Sequence, residues 1–404
     1  MDCGDLKGKK IILFRESLVG AGGAERLLFE EAKYLKKKGA EVFILTFNFN
    51  KQALFGGAYK LKIEQIGHPI SNVVHLITNI LSLRRKIKEI NPDIILLSSV
   101  LDCVPFYFAT LFTPYSYSTH VHGTIFWFLS DISKYAFIYR KVFREIRESV
   151  VGHKEFIPIK CPERNPLRRV LKEFIAIFMY KGVRKAKKIF VLSNQMKWEV
   201  GKLYGKNAIV LKGAFPREIL NYKPKLDIKA RLGLKGKRMI LSISRLDPRK
   251  RIGLLIRAFR EVSEHFNDTV LVIGGAGSEE KKLKNLAKQL NLSDKVIFVG
   301  FIKEEELWDY LAACDVFAHP AWADFDIAAY EALALHKKVV WSTEMEVDEY
   351  LTMNRHIFIA NPTVDDFAKA LERALTTDVA EINDLSVYTW DNYCQAIMKE
   401  LIGS

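Results

Sequence analysis

Two cations, a glycine cluster and a late carboxylate occur in one half of the chain, in an order that suits a bound diphosphate. Arg245 and Lys250 lie five positions apart in a turn after an apolar run, and Glu331 follows later. Phosphate oxygens are bound by cations and by backbone N–H groups at helix starts, so this turn predicts a phosphate site. The same two side chains would stabilise charge that develops on a departing diphosphate.

The elements around these residues are predicted from the spacing of apolar side chains. Strands are expected at 239–243, 269–274, 296–299 and 316–319, and helices at 252–259, 304–313 and around Glu331. The second strand ends in a glycine-rich segment that includes Gly275, which lets backbone approach a ligand closely, although it is not a GxGxxG motif. Such alternation indicates a parallel α/β sheet, whose ligands bind beyond the carboxyl ends of the strands.

The chain resembles the retaining family 4 glycosyltransferases along nearly its whole length. The resemblance is carried by KIILFRESLVGAGGAERLLFEEAKYLKKKGAEVFILT near the start and by residues 244–334. It implies the α/β fold called GT-B, in which two Rossmann-like domains face each other across a cleft and a C-terminal helix crosses back to the N-terminal domain. It also implies a nucleoside diphosphate sugar as donor, retention at the anomeric carbon, and no protein nucleophile.

The resemblance assigns a role to each matching residue. The catalytic set is Arg245, Lys250 and His122. His122, in STHVHG, would contact the transferred sugar, and His120 is offset from the family's His-Gly pair. The donor-binding set is Gly22, Gly23, Arg245, Lys250, Gly275, Asp324, Asp326 and Glu331, with the two cations on the diphosphate and Glu331 on the ribose. No metal is expected in the site, and no cofactor besides the donor.

The loop before Glu331 departs from the family pattern. Ala323 stands where the family has its first Glu, Asp324 and Asp326 replace two glycines, and His336 replaces a helix-ending Gly. A glycine pair that the family has after the strand at 338–341 is also absent, because the sequence there reads STEMEVDE. Asp324 or Asp326 could supply the missing carboxylate, and Asp tolerates the positive φ of a former Gly position better than most residues. Glu331 is placed at the start of its helix, where an acid favoured by the helix dipole is the alternative explanation.

Chain length predicts two domains, because 404 residues exceed the size at which one core usually stops growing. We expect an N-terminal acceptor-binding domain at 8–213, a C-terminal nucleotide-sugar-binding domain at 226–385, and a returning helix at 386–404. The segment 212–225, with Pro216 and Pro224, is expected to be the linker. The five cysteines are scattered and form no CxxC pair, so neither a disulfide framework nor a zinc site is indicated.

Positive charge is concentrated in one segment of the N-terminal half. Residues 134–188 contain 16 basic and 5 acidic residues, a net of +11 out of +15 for the chain, interleaved with aromatics. That pattern is typical of basic amphipathic helices on an anionic membrane surface. A helix pair packed on its own domain is the alternative. No nucleic-acid module is visible, so nucleic acid is not an expected partner.

These features together favour transfer to a lipid-linked glycan or glycolipid, from GDP-mannose or a UDP-sugar, as in mannosyltransferases that extend lipid-linked oligosaccharides. The chain holds no uninterrupted apolar run of eighteen residues, so we expect a cytoplasmic protein bound peripherally to the membrane. A soluble glucan or disaccharide-type transferase is the alternative within the class. Outside it stand a GT-B epimerase and a non-catalytic nucleotide-binding partner subunit, which the altered loop encourages.

Overall fold

The computed structural model describes residues 6–20, 22–50, 61–122, 165–321, 325–345, 349–352, 355–379 and 384–402. These residues divide into two compact units. The first contains the described residues up to Gly213 together with those from Trp390 onward, and the second runs from Ala214 to Thr389. In the described part, the chain therefore passes between the units twice, and the C-terminal helix belongs to the first unit, as expected.

The first unit is built on a seven-stranded parallel sheet in the order β5-β3-β1-β6-β7-β8-β9, beside a short parallel pair, β2 with β4. The strands are β1 Lys10–Phe14, β2 Ser17–Leu18, β3 Glu41–Thr46, β4 Asn48–Phe49, β5 Ile63–Gln65, β6 Ile94–Leu97, β7 Ser118–Val121, β8 Ile189–Val191 and β9 Ile209–Val210. The helices are α1 Gly23–Lys37, α2 Val73–Ile90, α3 Cys103–Ala109, α4 Pro166–Lys185, α5 Asn194–Tyr204 and, from the end of the chain, α13 Trp390–Ile402. Strands such as IILL and IFV are almost wholly apolar because helices cover both faces of a parallel sheet.

The second unit is a six-stranded parallel sheet in the order β12-β11-β10-β13-β14-β15. Its strands are β10 Arg238–Ile243, β11 Thr269–Gly274, β12 Val296–Gly300, β13 Val316–His319, β14 Lys338–Ser342 and β15 Ile357–Ala360. Its α-helices are α6 Ile228–Arg231, α7 Ile252–His265, α8 Glu280–Gln289, α9 Glu304–Ala313, α10 Ile327–Ala334, α11 Glu349–Thr352 and α12 Val364–Thr376. Two buried apolar clusters cover the sheet, so the unit has three layers.

Each sheet has one point at which the strand order reverses. In the first unit this switch point lies between β1 and β6, and in the second it lies between β10 and β13. Loops after these strands leave the sheet in opposite directions and open a crevice at its carboxyl edge, where ligands of such folds bind. Ligand contacts are therefore expected from the residues after β1 and β6 in the first unit, and from those after β10 and β13 in the second.

The predicted linker at 212–225 is wrong in its extent. Ala214, Phe215 and Ile219 are buried in a core cluster of the second unit, and the N–H of Ala214 donates to the carbonyl of Tyr388 at 2.8 Å. The prolines favour a linker in this segment, but its apolar side chains place it in the core. Burying a large apolar side chain stabilises the fold by about 1.5–3 kcal/mol. Among the described residues, the chain passes between the units at Gly213–Ala214 and at Thr389–Trp390.

Candidate functional site

The turn that carries Arg245 and Lys250 follows β10 directly, at the switch point of the second sheet. Asp247 caps a short 3-10 helix, Pro248–Lys250, by accepting from the N–H of Arg249 at 3.1 Å. The Arg245 side chain is 72% exposed, with its Nε 3.6 Å from Oδ2 of Asp247, whereas Lys250 is buried. One cation of the predicted pair thus faces solvent and the other is enclosed by protein.

Glycines hold this turn against the loop that follows β11. Gly275 has φ +118°, and a Cβ on it would lie 1.9 Å from the carbonyl oxygen of Ser244. A Cβ on Gly277 would lie 2.3 Å from the carbonyl oxygen of Leu246. The glycine cluster was predicted to admit a ligand, and the close approach seen is that of the Ser244–Leu246 backbone. Gly275 therefore fixes the position of Arg245 through its neighbour in the chain.

Glu331 is fully buried in the middle of α10, and its Oε1 accepts from Nε1 of Trp308 at 2.8 Å. The expectation that Glu331 begins its helix is wrong, because α10 begins at Ile327 and Asp326 is its N-cap. Glu331 lies five positions after the cap, beyond the first turn, so the dipole of the first turn does not account for its presence. Its predicted contact with a ribose remains a prediction.

Asp326 does not present a free carboxylate. Its Oδ1 accepts from the N–H of Ala328 at 3.2 Å, and its Oδ2 lies 2.5 Å from Nδ1 of the buried His319 at the end of β13. Its φ is −106°, so the predicted positive φ is not adopted there. One oxygen is thus used by the helix cap, and the other lies against His319 without a hydrogen bond among the described residues. That Asp326 replaces the missing Glu remains a prediction. Ala323 and Asp324 lie outside the described residues.

Two other departures from the family pattern have structural explanations. His336, in place of a helix-ending glycine, keeps the left-handed conformation with φ +59°. Glu344 lies in STEMEVDE, where the family has a glycine pair, and its Oε2 is 2.5 Å from Nη1 of the buried Arg251, which opens α7. The altered segment is thus joined to the end of the Arg245 turn.

In the first unit, Gly22 and Gly23 lie at the start of α1, with Gly22 as its N-cap and Gly23 as its first residue. A Cβ on Gly22 would lie 2.7 Å from Oε2 of Glu25, so a side chain there would displace that carboxylate. Oε1 of Glu25 in turn lies 3.0 Å from Nη2 of Arg15, which follows β1. The two glycines therefore border the switch point of the first sheet.

His122 follows β7 and is close to that switch point. Burial, with His120 and the Arg15 guanidinium nearby, holds the pKa of His122 well below its usual range. The imidazole is therefore neutral at pH 7, and neither ring nitrogen has a hydrogen-bond partner among the described residues. His120 is fully buried and contacts His122 edge-on, with ring centroids 4.2 Å apart.

Two carboxyl groups at the same switch point were missed from the sequence. The N–H of Glu16, after β1, donates to Oδ1 of Asp102, after β6, at 2.9 Å. Burial and the neighbouring Asp102 raise the pKa of Glu16 to about 7, despite the Arg15 guanidinium, and burial raises the pKa of Asp102 to about 6. Near neutral pH this pair holds a proton, and it can both donate and accept hydrogen bonds. Only the fold brings the two residues together, so no local pattern marked them.

A helical surface of the first unit combines exposed apolar and basic residues. On α2, Val73, Val74, Ile77 and Leu81 are each more than half exposed and follow one stripe, which continues into exposed Arg85 and Lys88. Helix α3 packs against both α2 and α4, and α4 exposes Val170, Phe174, Lys181, Arg184 and Lys185. We call these residues the α2–α4 surface. Of the segment predicted to face a membrane, residues 134–164 lie outside the described part of the chain.

Comparisons with known proteins identify the class. The model of Glycosyltransferase Family 4 matches residues 21–211, and that of Glycosyl transferases group 1 matches residues 224–386. The chain belongs to the family 4 glycosyltransferases with the GT-B fold. The family and fold class expected from the sequence are confirmed.

Relatives are similar over parts of their length. An uncharacterized glycosyltransferase of Methanocaldococcus jannaschii, MJ1607, is 28% identical over 55% of this chain and 61% of its own. A GDP-mannose-dependent alpha-(1-6)-phosphatidylinositol monomannoside mannosyltransferase of Mycolicibacterium smegmatis is 37% identical over 24% of this chain and 27% of its own. A diphospho-undecaprenol-linked N-acetylgalactosaminyltransferase of Campylobacter jejuni is 36% identical over 33% and 34%. The chain thus spans less than two thirds of each relative.

Solved structures match nearly the whole chain. Anabaena HepE, solved in complex with UDP-glucose, has a TM-score of 0.68 at 18% identity, covering 97% of this chain and 94% of that one. Sucrose-phosphate synthase of Thermosynechococcus elongatus has a TM-score of 0.70 at 17% identity, covering 98% and 94%. At this identity the likeness shows the fold.

Proposed function

We propose that this protein transfers a sugar from a nucleoside diphosphate sugar to a hydroxyl of a lipid-linked glycan or glycolipid, with retention at the anomeric carbon. The observation that carries the proposal is the Arg245–Lys250 turn at the switch point of the second sheet, fixed by Gly275. The donor is GDP-mannose or a UDP-sugar. The first fits the name of the mycobacterial relative, and the second fits the ligand of the Anabaena structure.

The donor half of the reaction depends on charge. As the sugar departs, negative charge grows on the diphosphate, and Arg245 and Lys250 stabilise it in place of a metal ion. The exposed Arg245 side chain can turn onto the diphosphate, whereas Lys250 is already held by its surroundings. Glu331 is assigned to the ribose hydroxyls, with Trp308 Nε1 fixing its Oε1. The departing phosphate accepts the proton of the acceptor hydroxyl, so no protein nucleophile is required.

The acceptor half is assigned to the switch point of the first sheet. The neutral His122 imidazole offers a donor or acceptor to a sugar hydroxyl. Glu16 and Asp102, whose pKa values are raised to about 7 and about 6, offer both kinds of hydrogen bond to a hydroxylated acceptor. Such groups suit polyhydroxyl ligands, because each hydroxyl both donates and accepts.

Lipid acceptors are favoured by the α2–α4 surface and by two relatives. The mycobacterial and Campylobacter relatives are named for a phosphatidylinositol mannoside and a diphospho-undecaprenol acceptor. Apolar side chains exposed beside Lys and Arg suit an anionic membrane, where each basic residue adds about 1 kcal/mol of attraction. No helix in the described ranges is both long enough and apolar enough to cross a membrane. Contact at the cytoplasmic face would therefore be peripheral.

The donor site is tested by thermal stabilisation with GDP, UDP, ADP and their sugar conjugates. A ligand at 100 times its Kd adds about 2.7 kcal/mol of stability. We expect one nucleotide to raise Tm, with the shift lost in Arg245→Ala and kept in Arg257→Ala, which removes an exposed arginine from α7. No shift with any nucleotide would favour a subunit that does not bind donor.

The membrane surface is tested by sedimentation with anionic vesicles. The double variant Ile77→Ser, Leu81→Ser removes two exposed apolar residues of α2, and Val387→Ser, in the second unit, is the control. We expect the double variant to lose binding, the control to keep it, and high salt to weaken it. Equal binding by all three proteins would remove the α2–α4 surface from the proposal.

A further inference from the structure

A hydrogen-bonded triad lies buried behind His122 and joins three distant parts of the first unit. Tyr393 of α13 has its hydroxyl 3.0 Å from Oε1 of Glu31, on α1, and 2.5 Å from Nδ1 of His120, on β7. Nδ1 of His120 also lies 3.4 Å from the same carboxylate oxygen. All three side chains are buried, with exposures of 3% or less. Most buried titratable groups need such partners, because an unpaired one costs several kcal/mol.

The direction of the bonds follows from the number of protons. Burial and the Glu31 carboxylate raise the pKa of Tyr393 well above its usual range, so it remains a phenol with one proton to donate. A phenol between a carboxylate and an imidazole donates to the carboxylate, and its oxygen accepts from Nδ1–H of His120. His120 is thereby held in one tautomer and one orientation.

His120 transmits this constraint to His122. Residues two apart in a strand project to the same side, and the two imidazoles meet edge-on at 4.2 Å. Tyr393 supplies hydrogen bonds to Glu31 and His120. Of the two histidines, His122 is the one whose ring nitrogens have no hydrogen-bond partner among the described residues. Within the described ranges no hydrogen bond orients His122, and the contact that the structure gives its ring is the one with the His120 ring behind it.

The returning helix is built closely around this contact. A Cβ on Gly213, the last residue of the first unit before the chain crosses, would lie 2.5 Å from Cβ of Tyr393. Trp390 also packs against Tyr393, with its ring 5.8 Å from that of Tyr393 and nearly perpendicular to it. Tyr393 therefore has little freedom to move away from His120.

We propose that Glu31, His120 and Tyr393 form a positioning triad that orients His122 toward the transferred sugar, so that Tyr393 governs turnover without touching the substrate. This inference rests on the proposed function, because it gives His122 a sugar to contact. Removing the Tyr393 hydroxyl leaves the donor-binding turn of the second unit intact and frees His120 to tilt. A misplacement of about 1 Å at a reacting group costs up to about 100-fold in rate.

The test compares Tyr393→Phe with Tyr117→Phe. Tyr117 is also buried in the first unit, where its hydroxyl donates to the carbonyl of Gly182 at 2.7 Å. Each variant therefore removes one buried tyrosine hydroxyl, with two hydrogen bonds lost at Tyr393 and one at Tyr117. We expect Tyr393→Phe to lower kcat by about 10- to 100-fold with the donor KM unchanged, and Tyr117→Phe to keep kcat within about twofold. Glu31→Gln, which keeps the shape of the side chain, is expected to share the kcat loss and serves if Tyr393→Phe does not fold.

A second readout does not need transfer activity. Histidine ring resonances, with His122 assigned through His122→Asn, are expected to move in Tyr393→Phe and to stay in Tyr117→Phe. Unmoved His122 resonances, or an unchanged kcat, would overturn the positioning triad. If wild type transfers no sugar, the proposed function fails, and the resonances alone decide whether Tyr393 orients His122. Glu31, His120 and His122 offer ligand atoms within 4.8 Å of one another. If the purified protein holds one tightly bound metal ion per chain, and removing the metal abolishes the His122 resonances, these three residues form a metal site and the positioning triad is overturned.

Discussion

The substitution Gly275→Ala tests the construction of the donor site most sharply. Its new Cβ would lie 1.9 Å from the carbonyl oxygen of Ser244, where Cβ contacts under 3.0 Å are essentially never seen. The two backbones must therefore separate by about 1 Å. Since Ser244 precedes Arg245, the predicted phosphate ligand moves with it.

The magnitude follows from two costs. A φ of +118° is almost restricted to glycine and costs alanine about 1–3 kcal/mol, and relieving the clash costs about 1–3 kcal/mol more. Gly236→Ala is the matched control, because Gly236 has φ +74° in the same unit but no atom within 4 Å of its added Cβ. The control therefore carries only the conformational cost, about 1–2 kcal/mol.

The assay is urea unfolding of both variants, followed by nucleotide titration under native conditions. We expect the unfolding midpoint to fall further in Gly275→Ala than in Gly236→Ala, by the equivalent of about 1–3 kcal/mol. We also expect nucleotide affinity to drop at least about tenfold in Gly275→Ala alone. If the two variants unfold together and bind equally, the packing of this loop does not position Arg245, and the reasoning fails.

Two further predictions concern buried carboxyl groups. The pKa of Glu16 in the folded protein is about 7, against an ordinary 4.5. Ionisation of Glu16 therefore lowers the free energy of unfolding only above pH 4.5. The loss grows up to pH 7 and then stays at about 1–3 kcal/mol, a figure reduced for the partial exposure of the residue. Glu16→Gln should therefore be more stable than wild type at pH 8 and equal at pH 4.5, and urea unfolding at both pH values checks this; a gain of the same size at both would contradict it. Trp308→Phe removes the N–H that donates to Oε1 of Glu331 at 2.8 Å. We expect it to lower the free energy of unfolding by about 1–3 kcal/mol and to weaken nucleotide binding, both measured by thermal shift. An unchanged Tm would mean that this bond does not support Glu331.

Local pattern was enough to predict most elements of the second unit. The strand at 316–319 and the helix at 304–313 agree with β13 and α9, because the strand is a short apolar run after Asp315 and the helix begins with three glutamates. The turn after β10 was predicted to follow a strand and precede a helix, as it does. Parallel strands then fix which loops share an edge.

The start of α10 shows where local pattern was insufficient. An Ala-rich segment gives no sign of its first turn, and nothing in the sequence shows that His319, seven residues before Asp326, lies beside it. An N-cap acid and a ligand acid have the same local sequence. The difference lies in the tertiary partner, which only the fold provides.

Distance along the chain explains the other omissions. Glu31, His120 and Tyr393 come from an early helix, a middle strand and the last helix. The pKa of Glu16 is raised by burial and by Asp102, which follows another strand. No window of sequence contains either group. The exposed stripe of α2 is visible in the sequence, because VVHLITNIL is apolar on more than one face of the helix. A helix that buries only one side needs apolar residues on that side alone.

The central claim is sugar transfer to a lipid-linked acceptor, and one measurement tests it directly. The purified chain is incubated with each labelled nucleotide sugar and with a polyprenyl-diphosphate-linked glycan, a glycolipid or a free disaccharide, and the product is analysed by mass and anomeric NMR. We predict transfer from one donor to a lipid-linked acceptor, with the anomeric configuration of the donor kept and Arg245→Ala inactive. Transfer to the free disaccharide alone, an inverted product, or no transfer from any donor would contradict the account.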